Sequence, residues 1–187
     1  NDRISTLARE ALEEMRLSVR GLTGRAMRLP DALGDWRAEV VSRLGQAGIE
    51  VEWRHPMDVM DEPLSARTYV QTTRIIREAV SNIIKHSQAS HVVITTEVGE
   101  HDFQVAIQDN GKGIPLELDG RLDRGHGMAS MKHRAKQLSG QCLVESGPGF
   151  GTVIRMTLPL EIDAVASALL SGASIPSQRR GDSVAPN

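Results

Sequence analysis

The sequence predicts an α+β fold: a two-layer sandwich of a mixed β-sheet and helices, preceded by an N-terminal helix. Two observations lead to this prediction. Five short runs of alternating apolar residues indicate strands, and four of them follow one another in neighbouring pairs. Between the runs lie segments whose apolar residues recur at steps of three and four, which is the period of a helix.

The first element is a helix at residues 4–22. Its apolar and small residues fall at alternating steps of four and three, which is the spacing of a coiled-coil seam. Two interpretations stay open: a helix that pairs with a partner helix, or an amphipathic helix that packs on its own domain. The seam consists of Ile4, Ala8, Ala11, Met15, Ser18 and Leu22.

A stretch rich in glycine and proline follows. Residues 21–34 contain G-L-T-G and L-P-D, which predict a hinge. Asp35 is a candidate N-cap for a second helix that runs to about Ala47. The alternating run at 49–53 then predicts a strand.

The rest of the main domain alternates between helices and paired strands. The longest helix is predicted from Ser65 to Lys85, and a shorter one follows a polar loop at 115–124. The elements after the long helix are strands at 92–98 and 103–109, a helix at 128–138, and a hairpin of strands at 143–146 and 152–158.

These elements divide the chain into four parts. We predict an N-terminal helix at 1–24, a hinge at 25–34, one main domain at 35–160 and a tail at 161–187. Alanine, serine, glycine, proline and arginine dominate the tail, which we expect to be disordered.

Composition excludes several classes of function. The chain of 187 residues has a net charge of -2 and a sequence pI of about 6.3, so no nucleic-acid footprint is expected. Its single cysteine excludes an intrachain disulfide and a cysteine zinc cluster, and favours a buried thiol in a reducing compartment. No apolar run approaches the roughly 18 residues of a membrane span. We therefore expect a cytoplasmic fragment without membrane contact.

The long helix carries a polar face opposite its apolar one. Glu78, Asn82 and Lys85 fall within one arc of the helical wheel, with His86 close by. An amide oxygen suits Mg²⁺, an ammonium group suits phosphate, and a carboxylate can accept a proton. Taken alone, such a face is more often simply solvated.

The segment D-N-G-K-G-I-P begins with a carboxylate at the end of a strand. Asp109 shares its strand face with Phe103, Val105 and Ile107, so it points toward the core. A buried carboxylate requires hydrogen-bond donors, and the amino group of a planar base would serve. The glycines after it allow a close backbone approach, although a simple turn has the same composition.

Two glycine-rich segments complete the pattern. R-G-H-G-M precedes a helix, whose free N–H groups would suit phosphate, or it is merely a flexible helix start. G-P-G-F-G-T predicts a tight hairpin, with Thr152 opening the following strand.

Together, E-x-x-x-N, D-x-G-x-G, G-x-G and G-T within about 75 residues resemble the ATP-binding domain shared by gyrase B, Hsp90, sensor histidine kinases and MutL. R-E-A-V-S-N-I-I-K-H-S-Q-A and G-H-G-M-A-S-M-K-H-R-A-K-Q-L-S-G are similar to the sensor histidine kinases that include the nitrate/nitrite sensors. The resemblance extends over about residues 36–160, which makes 35–160 an ATP-binding catalytic domain of the histidine kinase ATPase fold.

This resemblance implies roles for individual residues. Glu78 would be the catalytic carboxylate and Asn82 the Mg²⁺ ligand, while Asp109 would accept a hydrogen bond from the adenine amino group. Thr152 would support Asp109 through its hydroxyl or a water. The remaining implied ATP contacts are Lys85, His86, Gly111, Gly113, Ile114, Gly125, His126, Gly127 and Met128.

The first helix resembles the second helix of the family's dimerisation and phosphoacceptor hairpin. The accepting histidine would belong to the other helix of that hairpin, and none of the six histidines here lies in such a context. We therefore expect a protein histidine kinase fragment without its own phosphoacceptor histidine. The resemblance also implies ATP and Mg²⁺ binding, a response regulator as partner, and a homodimer in the full-length protein.

Two other functions stay open. One is an anti-sigma-factor-type serine protein kinase of the same superfamily, which needs no phosphoacceptor helix. The other is a non-catalytic, ATP-responsive dimerisation module. The seam in the first helix weighs against the former, and the presence of Glu78 and Asn82 weighs against the latter.

Overall fold

The computed structural model describes residues 2–23, 27–56, 59, 61–113 and 126–160. The predicted tail at 161–187 and the polar loop at 115–124 lie outside the described residues, as do Ile114 and Gly125. Within the described residues the elements are α1 (Asp2–Leu22), β1 (Met27–Arg28), α2 (Leu29–Gln46), β2 (Glu50–Arg54), β3 (Pro63–Leu64), α3 (Ala66–Asn82), a π-helical turn (Ile83–Ser87), β4 (His91–Val98), β5 (Asp102–Asp109), α4 (His126–Gln137), β6 (Gln141–Gly147) and β7 (Gly151–Pro159).

The main sheet has five strands in the order β2-β4-β5-β7-β6. β2 runs parallel to β4, and the other neighbours are antiparallel, so the sheet is mixed as predicted. β5 lies in the centre and ends at Asp109, which pairs with Val92 on β4 and with Thr152 on β7. A short sheet of β1 and β3, which the sequence pattern did not predict, adds two residues from each strand.

The core lies between this sheet and the helices, which confirms the predicted α+β sandwich. Every second side chain of β5 is buried, because the period of a strand directs alternate residues to one face. Trp36 of α2 stacks near Tyr69 of α3 and Phe103 of β5, with ring centroids 5.8 and 6.0 Å apart. The thiol of Cys142 is also buried, as the sequence predicted.

The second helix begins earlier than predicted. α2 starts at Leu29 and not at Asp35, so most of the predicted hinge sequence is helical. Pro30 explains the difference, because proline is favourable in the first turn of a helix, where its missing N–H is not needed. The division of the chain into domains stays a prediction.

The long helix α3 is capped by Ser65, whose hydroxyl accepts the N–H of Thr68 at 3.1 Å. Its buried face includes Ile75, Ile76 and Ala79. Beyond Asn82 the backbone continues as a π-helical turn to Ser87, so the chain is helical through the predicted end at Lys85, but with a change from α- to π-helix that the sequence pattern did not predict. Such turns are often found at functional sites.

The N-terminal helix packs against α3, and of its predicted seam only Ser18 takes part in the contacts described below. Leu17 is its one buried apolar side chain within the described residues, and Gly21 lies against Val70 of α3. Hydrogen bonds also join the two helices: Arg74 of α3 donates to Glu14 at 2.8 Å and to Ser18 at 3.1 Å. The apolar stripe of α1 remains exposed and consists of Ile4, Leu7, Leu12, Met15, Val19 and Leu22.

No helix in the described part of the chain is long and apolar enough to cross a membrane.

Candidate functional site

Two polar side chains of α3 face the beginning of α4. Glu78 and Asn82 lie one helical turn apart and are both half-buried. A Cβ atom built on Gly127 would collide with Oε1 of Glu78 and lie 3.5 Å from Nδ2 of Asn82. The structure therefore brings three of the predicted residues together, and the glycine leaves the space that the carboxylate occupies.

The π-helical turn carries the two predicted cationic residues of this helix. Lys85 and His86 are exposed on it. Ser87 closes the turn by donating its hydroxyl to the carbonyl of Ile83 at 2.8 Å, and it accepts the N–H of Ala89 at 3.0 Å. The chain then leaves through Gln88 in the left-handed conformation, with φ of 56°.

Asp109 is a buried carboxylate at the end of the central strand. Only 3% of its surface is exposed. The N–H of Gly111 donates to Oδ1 at 2.8 Å, and the backbone N–H of Thr152 also bonds the carboxylate. Burial raises the pKa of Asp109, and these two N–H groups oppose the shift. The carboxylate of Asp109 is thus a hydrogen-bond acceptor in a low-dielectric environment. Among the described residues, no cationic side chain is bonded to it.

The turn after Asp109 is packed against Ser87 at the end of the π-helical turn. A Cβ on Gly111 would collide with the carbonyl oxygen of Ser87, which accepts the N–H of Lys112 at 2.9 Å. Gly113 has φ of 73°, a conformation that favours glycine. The turn therefore joins the region of Asp109 to the region of Glu78 and Asn82.

Thr152 contacts Asp109 from the neighbouring strand through its backbone. Its hydroxyl lies 3.1 Å from the hydroxyl of Ser146, which also donates to the carbonyl of Gly151 at 3.2 Å. Ser146 was not among the predicted site residues, because a serine on an edge strand gives no signal until the strand register is known.

The other predicted contacts are only partly described. Met128 is half-buried against the hydrophobic core. His126 begins α4, but its side chain lies outside the described residues together with Ile114 and Gly125. Arg134 of α4 donates to Gln71 of α3 at 2.8 Å and holds the two helices together.

Comparisons with known proteins show the family of this chain. Residues 68–162 match the family described as histidine kinase-, DNA gyrase B-, and HSP90-like ATPases. Sensor histidine kinase LiaS of Bacillus subtilis is 31% identical over 160 residues, which are 84% of this chain and 42% of LiaS. Nitrate/nitrite sensor protein NarX of Escherichia coli is 38% identical over 89 residues, which are 47% of this chain and 14% of NarX. The chain spans less than half the length of these relatives.

Solved structures share the fold. A blue-light activated histidine kinase of Erythrobacter litoralis has a TM-score of 0.61 and 23% identity, covering 86% of this chain and 50% of that chain. Histidine kinase AdeS of Acinetobacter baumannii has a TM-score of 0.59 and 18% identity, covering 86% of this chain and 82% of that chain. The resemblance read from the sequence is thus confirmed, and the chain belongs to the family of histidine kinase-, DNA gyrase B-, and HSP90-like ATPases.

Proposed function

We propose that this chain is the ATP-binding catalytic part of a two-component sensor histidine kinase. It transfers the γ-phosphoryl group of ATP to a histidine on a dimerisation helix, for relay to a response regulator. The observation that carries the proposal is the presence of a buried acceptor, Asp109, together with a cluster in which the polar side chains of Glu78 and Asn82 lie against Gly127 at the start of α4. Asp109 suits a nucleotide base, and the cluster of Glu78, Asn82 and Gly127 suits a polyphosphate.

The adenine end depends on Asp109. Its carboxylate is buried and accepts backbone N–H groups from Gly111 and Thr152, which fix its orientation. The exocyclic amino group of adenine is a donor of the matching kind. Guanine presents a carbonyl at the same position, so the carboxylate would favour ATP over GTP.

The phosphate end lies between α3 and the N-terminus of α4. Free N–H groups at the start of this 12-residue helix would face the phosphates. Lys85 and His86 would add positive charge from the exposed π-helical turn. Glu78 would accept the proton of the attacking imidazole, which has to be unprotonated at the attacking nitrogen.

The same residues fit a magnesium ion. Asn82 offers an amide oxygen, and within the described residues no cluster of three or more histidine, cysteine, aspartate or glutamate side chains could hold a metal. A site with few protein ligands suits Mg²⁺, which retains waters and takes phosphate oxygens as ligands. When bound, the ion would neutralise phosphate charge.

The partners follow from the same proposal. A response regulator would receive the phosphoryl group, and the exposed stripe of α1 would pair with a second copy in a homodimer. The cytoplasm supplies ATP and is the proposed location. Two-component signalling also agrees with the names of two relatives, a sensor histidine kinase and a nitrate/nitrite sensor protein.

A transfer experiment in trans tests the proposal. The chain, γ-labelled ATP and a separately supplied histidine-bearing helical hairpin from a related kinase should yield an acid-labile, base-stable phosphoprotein. Glu78→Ala should reduce this transfer by about 100-fold or more while retaining adenosine binding, because general-base catalysis contributes about that much. Acid-stable labelling of a serine would favour the serine kinase, and ATP binding without transfer would favour the non-catalytic module.

A further inference from the structure

Asn110 follows Asp109 directly and clamps the turn to the neighbouring strand. Its Oδ1 accepts the backbone N–H groups of Ser90 and His91, at 3.0 and 2.9 Å. Its Nδ2 donates to the hydroxyl of Ser90 at 3.0 Å, and its own N–H donates to the carbonyl of His91 at 3.2 Å. Four hydrogen bonds thus hold one exposed residue.

This clamp lies where the chain leaves the strand. Asn110 separates Asp109 from Gly111, whose N–H holds the carboxylate oxygen at 2.8 Å. Movement at Asn110 would therefore shift both ends of that hydrogen bond. On the far side of the turn, the N–H of Lys112 is held by the carbonyl of Ser87.

Both anchors of the turn belong to one short segment. Residues 87–91 connect the π-helical turn to β4, and this segment directly continues the helix of Glu78 and Asn82. The acceptor for the base and the residues for the phosphates are consequently tied to the same piece of backbone. Asn110 supplies the side chain that makes this connection.

We infer that Asn110 is a positioning residue for nucleotide binding, which acts through Asp109 and does not touch the ligand. The inference rests on the proposed function, because it assigns Asp109 to the adenine base. The amide fits its partners here: one oxygen accepts two adjacent N–H groups while the nitrogen donates to a hydroxyl. Alanine loses all three bonds, whereas aspartate keeps the two accepted ones.

The fold should tolerate both substitutions. The N–H groups of Ser90 and His91 and the hydroxyl of Ser90 are on the exposed side of the turn, where water can replace the lost bonds. A change in nucleotide binding would then report orientation of Asp109 and not unfolding.

The test measures adenosine and ATP affinity by calorimetry in the wild-type chain, Asn110→Ala, Asn110→Asp and Gln108→Ala. Gln108 is exposed on β5, two residues before Asn110, and serves as the matched control. We expect Asn110→Ala to weaken both affinities at least fivefold, Gln108→Ala to change neither, and Asn110→Asp to restore adenosine binding to within about twofold. In the transfer reaction, Asn110→Ala should raise KM for ATP and leave kcat at saturating ATP unchanged.

Different failures have different meanings. If the wild-type chain binds neither ligand, the proposed function is wrong. If it binds both and Asn110→Ala binds equally well, the positioning role is wrong. The role is also overturned if Asn110→Asp is as weak as alanine for adenosine, or if the loss of affinity in Asn110→Ala is matched by a fall in kcat.

Discussion

Asp109 shows how a single residue acquires its role from its surroundings. The carboxylate ends a strand whose other inward side chains are apolar, and two backbone N–H groups replace the water it loses. Its sequence motif, D-x-G-x-G, is by itself compatible with a turn. The bond from the N–H of Gly111 to Oδ1 is also the bond of an Asx turn, so it is the burial of Asp109 that supports its proposed role as an acceptor for a base.

The raised pKa of Asp109 predicts a pH dependence of base binding. In its proposed role Asp109 accepts the adenine amino group as an ionised carboxylate, so the affinity for adenosine should decrease on acidification, starting above the pH at which an ordinary aspartate is protonated. Calorimetry with adenosine, which has no ionisable phosphate, measures this directly. Asp109→Asn should nearly abolish binding at every pH, and an unchanged affinity in that variant would falsify the assignment. Asp102→Asn at the other end of β5 is the control.

The folding stability of the unliganded protein should depend on pH in the opposite direction to the affinity for adenosine: the contribution of Asp109 to stability decreases as the pH rises. A carboxyl group whose folded pKa is raised contributes stability below its unfolded pKa and loses that contribution as the pH rises through the folded value. Asp109→Asn removes this dependence, so the thermal stability of the variant should exceed that of the unliganded wild type more at pH 7 than at pH 4. A difference in the other direction would contradict the direction of the shift.

Two adjacent threonines of α3 predict opposite effects of the same substitution. Thr72 is fully buried, and its hydroxyl has no hydrogen-bond partner among the residues that the structure describes. Thr73 donates to the carbonyl of Tyr69 at 2.7 Å and accepts the indole N–H of Trp36 at 2.9 Å. Thr72→Val should stabilise the fold by about 1 kcal/mol, and Thr73→Val should destabilise it by about 1–3 kcal/mol. Urea unfolding measures both, and equal signs would contradict the assignment of partners.

Among the elements, those with strong periodicity could be predicted from the sequence, and those set by local backbone geometry could not. The helix of Glu78 and the strand of Asp109 have clear periods and definite ends. The start of α2 at Leu29 was missed because Pro30 indicates either a hinge or a first helical turn. The π-helical turn and the two-residue strands are too short to leave a periodic signal.

The site divides in the same way. Glu78, Asn82, Asp109 and Gly127 belong to motifs whose residue types are demanded by chemistry. Asn110 and Ser146 act through register and loop geometry, which no spacing in a single sequence specifies. Asn110 bonds His91, which lies 19 residues earlier in the sequence, and Ser146 contacts Thr152, which lies 6 residues later.

The contact between α1 and α3 is mostly polar, and this predicts its sensitivity to charge. Glu14→Arg should repel Arg74 and increase amide hydrogen exchange along α1 by about two- to fivefold, as the loss of a partly exposed ion pair would. The double variant Glu14→Arg, Arg74→Glu should restore protection. Glu10→Arg, on an exposed neighbouring position, is the control. Equal exchange in all variants would show that the ion pair does not hold the helix.

At the scale of the whole molecule, α1 presents two different faces. Leu17 faces α3, while the centre of the apolar stripe lies about 160° around the helix, at the 100° per residue of an α-helix. Because the faces differ, α1 can pair with a second copy without leaving its own domain. The nucleotide site would then keep its place relative to the pairing helix.

This arrangement predicts self-association through the stripe that leaves nucleotide binding intact. Met15 and Val19 are 64% and 57% exposed, and coiled-coil pairing would bury them. In sedimentation equilibrium the wild-type chain should associate reversibly with concentration, and Met15→Lys with Val19→Lys should weaken association at least tenfold. Val41→Lys, at an exposed apolar position on α2, should have no such effect.

ATP affinity should be equal in all three proteins, because Asp109 and Glu78 lie on other elements. A wild-type chain that stays monomeric at all concentrations, or a stripe variant that loses ATP affinity, would contradict this separation of pairing from binding.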